Sequence, residues 1–125
     1  MIEVNELRIG NWVNRFNCHT KINGVLNDYI SFWHDGNEWI WELNNDDTQP
    51  IPITSEILEK CGFEKCSNGL EKLCNENYVK IASLFSGFPL TLEIDGNRCP
   101  LNIKYAHQLQ NLYFALTGEE LEINL

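Results

Sequence analysis

The 125-residue sequence predicts an α+β fold: an antiparallel, curved or barrel-like sheet, a short middle helix and a C-terminal helix. Short β-branched and aromatic runs are separated by Asn-Gly and Asp-Gly pairs, which suit tight hairpin turns. A helical pattern covers residues 105–117 and stops at Gly118. The length favours a single compact domain over residues 1–125, with 1–50 and 51–125 as its sub-halves.

The first half reads as a small antiparallel sheet. The stretch LRIGNWVNRF, residues 7–16, predicts a first strand with a bulge near Gly10. In DYISFWHDGNEWIWEL, two apolar runs flank Asp35-Gly36 and predict a hairpin. The following NNDDTQPIPIT is polar and then carries two prolines, so it predicts an extended connector.

The second half begins with a short helix and continues with strands. A cap at Thr54 or Ser55 and a stop at Gly62 predict the helix in ITSEILEKCGF. Strands follow up to RCPLNIKY, where Pro100 predicts an edge position or a strand boundary. After Gly118, ELEINL alternates apolar and polar residues and predicts a final strand with charges along an exposed edge.

The charge distribution limits the classes of partner. The formal net charge is −9, and no lysine or arginine occurs between Lys21 and Lys60. Such a surface repels phosphate backbones, so we expect no direct nucleic-acid binding. The acidic character serves solubility, or it suits a partner with a basic surface. One such partner is a DNA-binding host protein, toward which this chain would act as an acidic mimic of DNA.

The cysteines and the termini indicate a reduced, cytoplasmic protein. The five cysteines are odd in number and form no C-x-x-C pair, so we expect free thiols that pack as small apolar groups. A zinc site built from Cys61, Cys66, Cys74 and a histidine is the weaker alternative, and we predict no metal and no cofactor. The apolar runs are too short for a membrane span and the start lacks a signal peptide, so we expect the cytoplasm of a bacterial host and no membrane partner.

The C-terminal helix has two faces of different character. One stripe holds Tyr105 and three leucines, which suit docking on the sheet. The opposite face holds His107, Gln110, Asn111 and Phe114. Either a loop or the first half of the chain covers this second face, or it is a docking site for a protein or a small ligand. Self-association through Phe114 fits the same pattern.

The acidic hairpin is the other candidate site. If residues 38–43 form a strand, Trp39 and Trp41 share one face, and the opposite face holds Glu38, Ile40 and Glu42. The tryptophans are a core face, or they form an aromatic cage ringed by carboxylates that suits a cationic ligand or a basic peptide.

Three pieces of the sequence carry a resemblance to other proteins. ELRIGN near the start, PIPIT followed by GF in the middle, and HQLQNLYFALTGEEL near the end resemble a group of small uncharacterised proteins. The group belongs to Bacteroidales gut bacteria, their phages and their mobile elements. The resemblance implies a phage or mobile-element accessory gene, and it assigns no catalytic residue.

The sequence therefore favours a binding protein over an enzyme. It contains no nucleotide-binding loop, no nucleophile elbow and no zinc-protease motif, so we predict no catalytic residues. The leading hypothesis is a non-enzymatic phage or mobile-element protein that occupies a host defence or regulatory partner through His107, Gln110, Asn111, Phe114, Trp39 and Trp41. The main alternative is a sponge for a small signalling nucleotide, with phosphate contacts from Arg8, Arg15, Lys80, Arg98 and Lys104.

Overall fold

The computed structural model describes residues 2, 6–43, 48–66, 69–74, 79–84 and 87–125. Within them the chain forms antiparallel curled sheets and two helices, which confirms the predicted α+β class. The chain divides into two compact units, Met1–Pro52 with Tyr105–Asn111, and Ile53–Lys104 with Leu112–Leu125. The first break lies close to the predicted sub-half boundary at residue 50. The early part of the C-terminal helix, however, belongs to the first unit.

The first unit contains a five-stranded antiparallel sheet with the order β4-β3-β2-β1-β5. Its strands are β1 (Trp12–Arg15), β2 (Cys18–Leu26), β3 (Tyr29–His34), β4 (Asn37–Glu42) and β5 (Thr48–Gln49). The short β5, which lies in the predicted extended connector, pairs with β1. Consecutive strands β1 to β4 are neighbours, so short turns connect most of this sheet.

Turn chemistry explains the β3–β4 hairpin. Asp35 and Gly36 have φ angles of +52° and +78°, the left-handed conformation that a two-residue hairpin turn of this twist requires. The predicted hairpin is therefore confirmed. The predicted bulge near Gly10 is confirmed, although β1 begins only at Trp12: the Gly10 N–H donates to the Ile22 carbonyl and the Ile22 N–H donates to the Asn11 carbonyl, each at 2.8 Å, and Gly10 has φ +97°. A second register shift lies in β2 between Ile22 and Gly24.

The core of the first unit lies on one side of its sheet. The buried apolar cluster combines residues before β1 with the inward side chains of the strands and the residue that follows β4: Ile2, Leu7, Val13, Ile22, Ile30 and Leu43. In β3, Ile30 and Phe32 are buried while Tyr29 and Trp33 are exposed. Successive side chains of a strand point to opposite faces, so this sheet has one buried face and one exposed face along β3.

The second unit contains α1 (Ser55–Lys60) and another five-stranded antiparallel sheet, with the order β10-β9-β8-β7-β6. The strands are β6 (Glu64–Cys66), β7 (Gly69–Leu73), β8 (Val79–Leu84), β9 (Gly87–Ile94) and β10 (Asn97–Pro100). Thr54 caps α1 as predicted, because its side chain accepts a hydrogen bond from the Ile57 N–H at 3.2 Å. Pro100 lies in the edge strand β10, as its missing N–H predicts.

The C-terminal helix is α2 (Ala106–Thr117). Gly118 ends it with φ +74°, and its N–H donates to the Phe114 carbonyl at 2.7 Å, which confirms the predicted stop. The predicted final strand is wrong. Residues 120–125 alternate between exposed and more buried positions as predicted, but they form no strand in the described structure. The backbone N–H of Asn124 instead donates to the carbonyl of Lys60 at 3.1 Å.

Candidate functional site

Gln110, on the polar face at the start of α2, lies in the interior of the first unit. Its side chain is 1% exposed. The Oε1 atom accepts from the Trp12 N–H at 2.9 Å, and Nε2 donates to the Gly10 carbonyl at 3.0 Å. These bonds satisfy the carbonyl of a residue just before β1 and the N–H of the first residue of β1. The predicted docking role of Gln110 is corrected: the first half of the chain covers this side chain.

Asn111 is engaged with the chain's own segment before β1. Its Oδ1 accepts from Arg8 Nε and from Asn11 Nδ2, both at 3.0 Å, and its Nδ2 donates to the Glu6 carbonyl at 2.7 Å. Three hydrogen bonds leave little capacity for an external partner, since an amide side chain offers two donors and one oxygen. The predicted binding surface is corrected at this position too, because the network holds residues 6–11 against α2.

His107 is also buried, at 1% exposure, and it stacks on Tyr105 with a ring-centroid distance of 6.1 Å. Burial lowers the pKa of His107, and the Glu6 carboxylate, with Oε1 3.7 Å from Nε2, acts in the opposite direction. Of the four predicted helix residues, only Phe114 is well exposed, at 40%, and it belongs to the second unit. The four therefore do not form one accessible surface of either unit.

Trp41 belongs to an aromatic cluster that the chain fills with its own cation. The guanidinium carbon of Arg15 lies 4.0 Å from the ring centroid of Phe32, 4.6 Å from that of Trp41 and 5.1 Å from that of Phe16. Phe16 meets Trp41 edge-on at 5.8 Å. Trp41 therefore contacts an internal arginine through cation–π contact and does not form the predicted cage with Trp39.

Trp39 is not among the rings that contact Arg15. It is exposed, and its Nε1 donates to the His34 carbonyl at 3.3 Å across the hairpin turn. Trp39 and Trp41 share a side of β4 as predicted, because β3 residues Phe32 and Ile30 lie opposite them. Trp41 alone is half-buried, so the pair is neither a complete core face nor an open cage.

The opposite side of β2, β3 and β4 carries an exposed apolar patch, which we call the outer face. Register places Leu26 opposite Tyr29, Ser31 opposite Ile40, and Trp33 opposite Glu38. Leu26 and Ile40 are each 70% exposed. Directly opposed residues of paired strands point to the same side, so the outer face consists of neighbouring side chains: Leu26, Tyr29, Ser31, Trp33, Glu38 and Ile40.

A hollow of about 340 Å³ lies in the outer face. It is lined by Leu26, Tyr29 and Ile40, by Glu38, and by the small residues Gly24 and Ser31. The hollow exists because Gly24 has no side chain and Ser31 has a short one. A Cβ atom on Gly24 would come within 2.6 Å of Ser31 Oγ, so these residues fit closely at its floor.

The outer face is apolar and acidic. Glu38 lines the hollow, Glu42 is exposed on the same side of β4, and no lysine or arginine lies between Lys21 and Lys60. The sequence predicted that Glu38, Ile40 and Glu42 lie on one side of β4, but these residues were not among the predicted site residues. The feature that could have indicated this site is an isoleucine that shares one side of a strand with two glutamates. A large apolar residue is an unusual choice beside exposed acidic residues.

The five basic residues predicted to contact phosphate are divided between the units. In the first unit, Arg8 binds Asn111 and Arg15 lies in the aromatic cluster. In the second unit, Lys80 Nζ lies 3.1 Å from Glu71 Oε2 and 3.7 Å from Glu93 Oε2, and Arg98 Nε is 3.5 Å from the same Glu93 oxygen. Lys104 belongs to the second unit and is exposed. Most of these charges thus interact with the chain's own groups.

The second unit has a hollow of its own, of about 400 Å³, lined by Leu73, Lys80, Glu93, Asp95 and Gly96. The side-chain hydrogen bond and charge of Glu71, with a smaller contribution from Glu93, raise the pKa of Lys80. The ammonium group therefore stays charged and paired. Among the described residues that line this hollow, Lys80 is the single cation, so they do not concentrate the positive charge that would select a phosphate.

The two buried thiols, Cys61 and Cys74, are not activated nucleophiles. Burial raises the pKa of Cys61 to about 12, and burial also raises the pKa of Cys74, although the nearby charge of Lys72 lowers both. A raised pKa keeps a thiol protonated and unreactive near neutral pH. Both cysteines are buried, which fits the prediction that they pack as small apolar groups.

Neither helix within the described ranges is long and apolar enough to cross a membrane. Comparison with protein-family models, with curated proteins and with solved structures finds no match to this chain.

Proposed function

We propose that this chain is a non-enzymatic binding protein of a phage or mobile element that acts by occupying a host protein through its outer face. The observation that carries the proposal is the cluster of exposed apolar side chains around the hollow, with Leu26 and Ile40 as its most exposed members. Contiguous apolar surface of this kind is typical of interaction sites. The phage context rests on the sequence resemblance.

The outer face has the mixed character of a protein-binding surface. Covering one exposed Leu or Ile side chain gains roughly 1.5–3 kcal/mol, and the two aromatic residues Tyr29 and Trp33 add rings of the type that dominate interface energetics. Glu38 and Glu42 at β4 keep this surface hydrated in the free protein. The proposed partner is therefore a host defence or regulatory protein with a complementary apolar and basic surface.

The test is affinity capture from a host lysate followed by reconstitution with the purified captured protein. We expect binding by the wild-type chain and at least about a tenfold weaker affinity for the Leu26→Ser variant, because about 1.4 kcal/mol of lost burial corresponds to a factor of ten. Leu73→Ser is the matched control: Leu73 is an equally exposed leucine on β7 in the second unit.

Equal loss of affinity in both leucine variants, or in neither, would contradict the assignment of the site to the outer face. Circular dichroism of each variant verifies that the fold is retained before binding is compared. The nucleotide sponge, the DNA mimic and the absence of catalysis stay predictions. Radiolabelled nucleotide binding and competition by duplex DNA test the first two.

A further inference from the structure

We infer that the occupant of the outer face is an extended basic segment of the partner, which adds to β4 as a further strand of the sheet. This inference rests on the proposed function and specifies its partner chemistry. β4 is the terminal strand in the order β4-β3-β2-β1-β5, and none of the described strands pairs with its outer edge. An exposed terminal strand is a template for strand addition.

The hairpin register determines which backbone groups of β4 face outward. His34 and Asn37 flank the two-residue turn, so they form a hydrogen-bonded pair, and such pairs recur at every second residue. The Leu43 N–H, which donates to the Asp28 carbonyl at 2.7 Å, continues this alternation past the end of β4. Trp39 and Trp41 therefore bond to β3, and the N–H and C=O groups of Glu38 and Ile40 point away from it.

The outward backbone groups and the outer face coincide on the same residues. A partner residue paired with Ile40 places its side chain on the outer face, within about 5.5 Å of the Ile40 side chain. A lysine or arginine at that position can lay its aliphatic stem over Ile40 toward the hollow and bring its charge to Glu38. Strand pairing and side-chain recognition are thus satisfied by one extended segment.

The charge pattern selects a basic segment and disfavours a second copy of this chain. If two β4 strands pair about Ile40, Glu38 of one copy lies opposite Glu42 of the other. Like charges directly opposed across strands are destabilising, so this pairing of two copies is disfavoured. A partner strand with alternating basic and apolar residues meets the carboxylates with opposite charge.

The probe is a fluorescently labelled peptide of alternating lysine and valine, matched to the six residues of β4, with a glutamate–valine peptide as its charge control. We expect the wild-type chain to bind only the basic peptide. Ile40→Pro removes one outward N–H and leaves the β3 bonds intact, so we expect about a tenfold loss of affinity. Ile40→Val is the matched control and retains binding.

A second variant tests the charge and keeps the proposal falsifiable if Ile40→Pro does not fold. Glu38→Lys should lose about tenfold affinity for the basic peptide, at moderate salt, and gain affinity for the acidic one. Glu64→Lys on β6 in the second unit is the control for net charge, and it should change neither. Equal weakening by Glu64→Lys would overturn the inference, since it would show non-specific attraction.

Other outcomes separate this inference from the proposed function. If the captured host protein responds to Leu26→Ser but not to Ile40→Pro, the outer face is the site and strand addition is wrong. If sedimentation shows a dimer that Ile40→Pro dissolves, the occupant is a second copy and the basic segment is wrong. No binding of the basic peptide by the folded wild-type chain also overturns the inference.

Discussion

The first turns of α2 and the β3–β4 hairpin belong to the same compact unit. The helix buries polar side chains there, whereas the hairpin leaves large apolar side chains exposed. The helix buries an amide and an imidazole, Gln110 and His107. The hairpin leaves Trp33, Trp39 and Ile40 exposed. The burial of Gln110 follows from backbone needs, because Gly10 and Trp12 lie beside the helix and present C=O and N–H groups that its amide satisfies. The His107 ring instead stacks on Tyr105.

In the first unit, a polar side chain is not necessarily accessible and an apolar side chain is not necessarily buried. In the helix, each buried amide is held by specific hydrogen bonds at 2.7–3.0 Å and has an internal structural role. On the outer face, Ile40 of β4 has no core to enter, since the buried cluster lies on the other side of the sheet. Free interaction capacity in the first unit therefore lies with the apolar hairpin.

The largest effect is expected on the buried side of the hairpin. Phe32→Ala should lower the free energy of unfolding by about 4 kcal/mol, because it empties a core site and removes the ring closest to the Arg15 guanidinium. Urea denaturation followed by circular dichroism measures the change. Trp33→Ala, one residue further on the exposed side, should cost less than about 1 kcal/mol. Similar losses would contradict the assignment of the two faces.

A substitution on the buried polar side of α2 should cause a slightly smaller loss of stability. Gln110→Leu should lower the free energy of unfolding by about 3 kcal/mol, although it adds apolar character to a helix. The Trp12 N–H and the Gly10 carbonyl both lose their partners in the interior. Chemical denaturation checks this value. A neutral or stabilising result would show that Gln110 does not satisfy these groups in solution.

His107 predicts a pH-dependent effect confined to acid conditions. Its pKa is lowered by burial from the ordinary value of 6.5, so below pH 6.5 the unfolded chain binds the proton more readily than the folded chain. The free energy of unfolding should therefore fall as the pH decreases from 6.5 toward the lowered pKa. Denaturation curves at a series of pH values should show the advantage of wild type over His107→Gln shrinking with acidity. A pH-independent difference would refute the prediction.

The smallest effect on stability is expected on the outer face. Ile40→Thr keeps a β-branched residue on an exposed edge strand, so the free energy of unfolding should change by less than about 0.5 kcal/mol. The same change should weaken capture of the host partner, since it removes apolar contact area. A large loss of stability would mean that Ile40 belongs to the core.

Local patterns allowed most of the secondary structure to be predicted. Asp35-Gly36, Thr54, Pro100 and Gly118 each act on the backbone at or next to their own position, which is why those turns, caps and boundaries are where the sequence predicts them. ELEINL has the period of a strand, and its burial alternates accordingly, but alternation alone does not supply a partner strand. The periodicity of a sequence predicts which side chains can share a face, but it does not predict which strand will pair with that segment.

The candidate site could be predicted only in part. Alternation correctly grouped Glu38, Ile40 and Glu42 on one side of β4, but no local rule stated which side would be buried. The choice depends on contacts between residues far apart in the chain, such as the packing of Ile2 and Leu7 in one buried cluster with Ile30. The sequence does not predict that Gly24 and Ser31 line a hollow, because the hollow depends on their register across two strands.

The sequence by itself determined the fold class, the hairpin and helix boundaries and the acidic character of this protein, because those properties follow from short-range backbone preferences and from counting charges. Only the tertiary structure decided that His107 and Gln110 of α2 are interior and that the side of the hairpin carrying Trp33 and Ile40 is surface. The physical reason is that burial depends on which backbone groups and apolar surfaces come into contact, and these contacts join residues up to 105 positions apart.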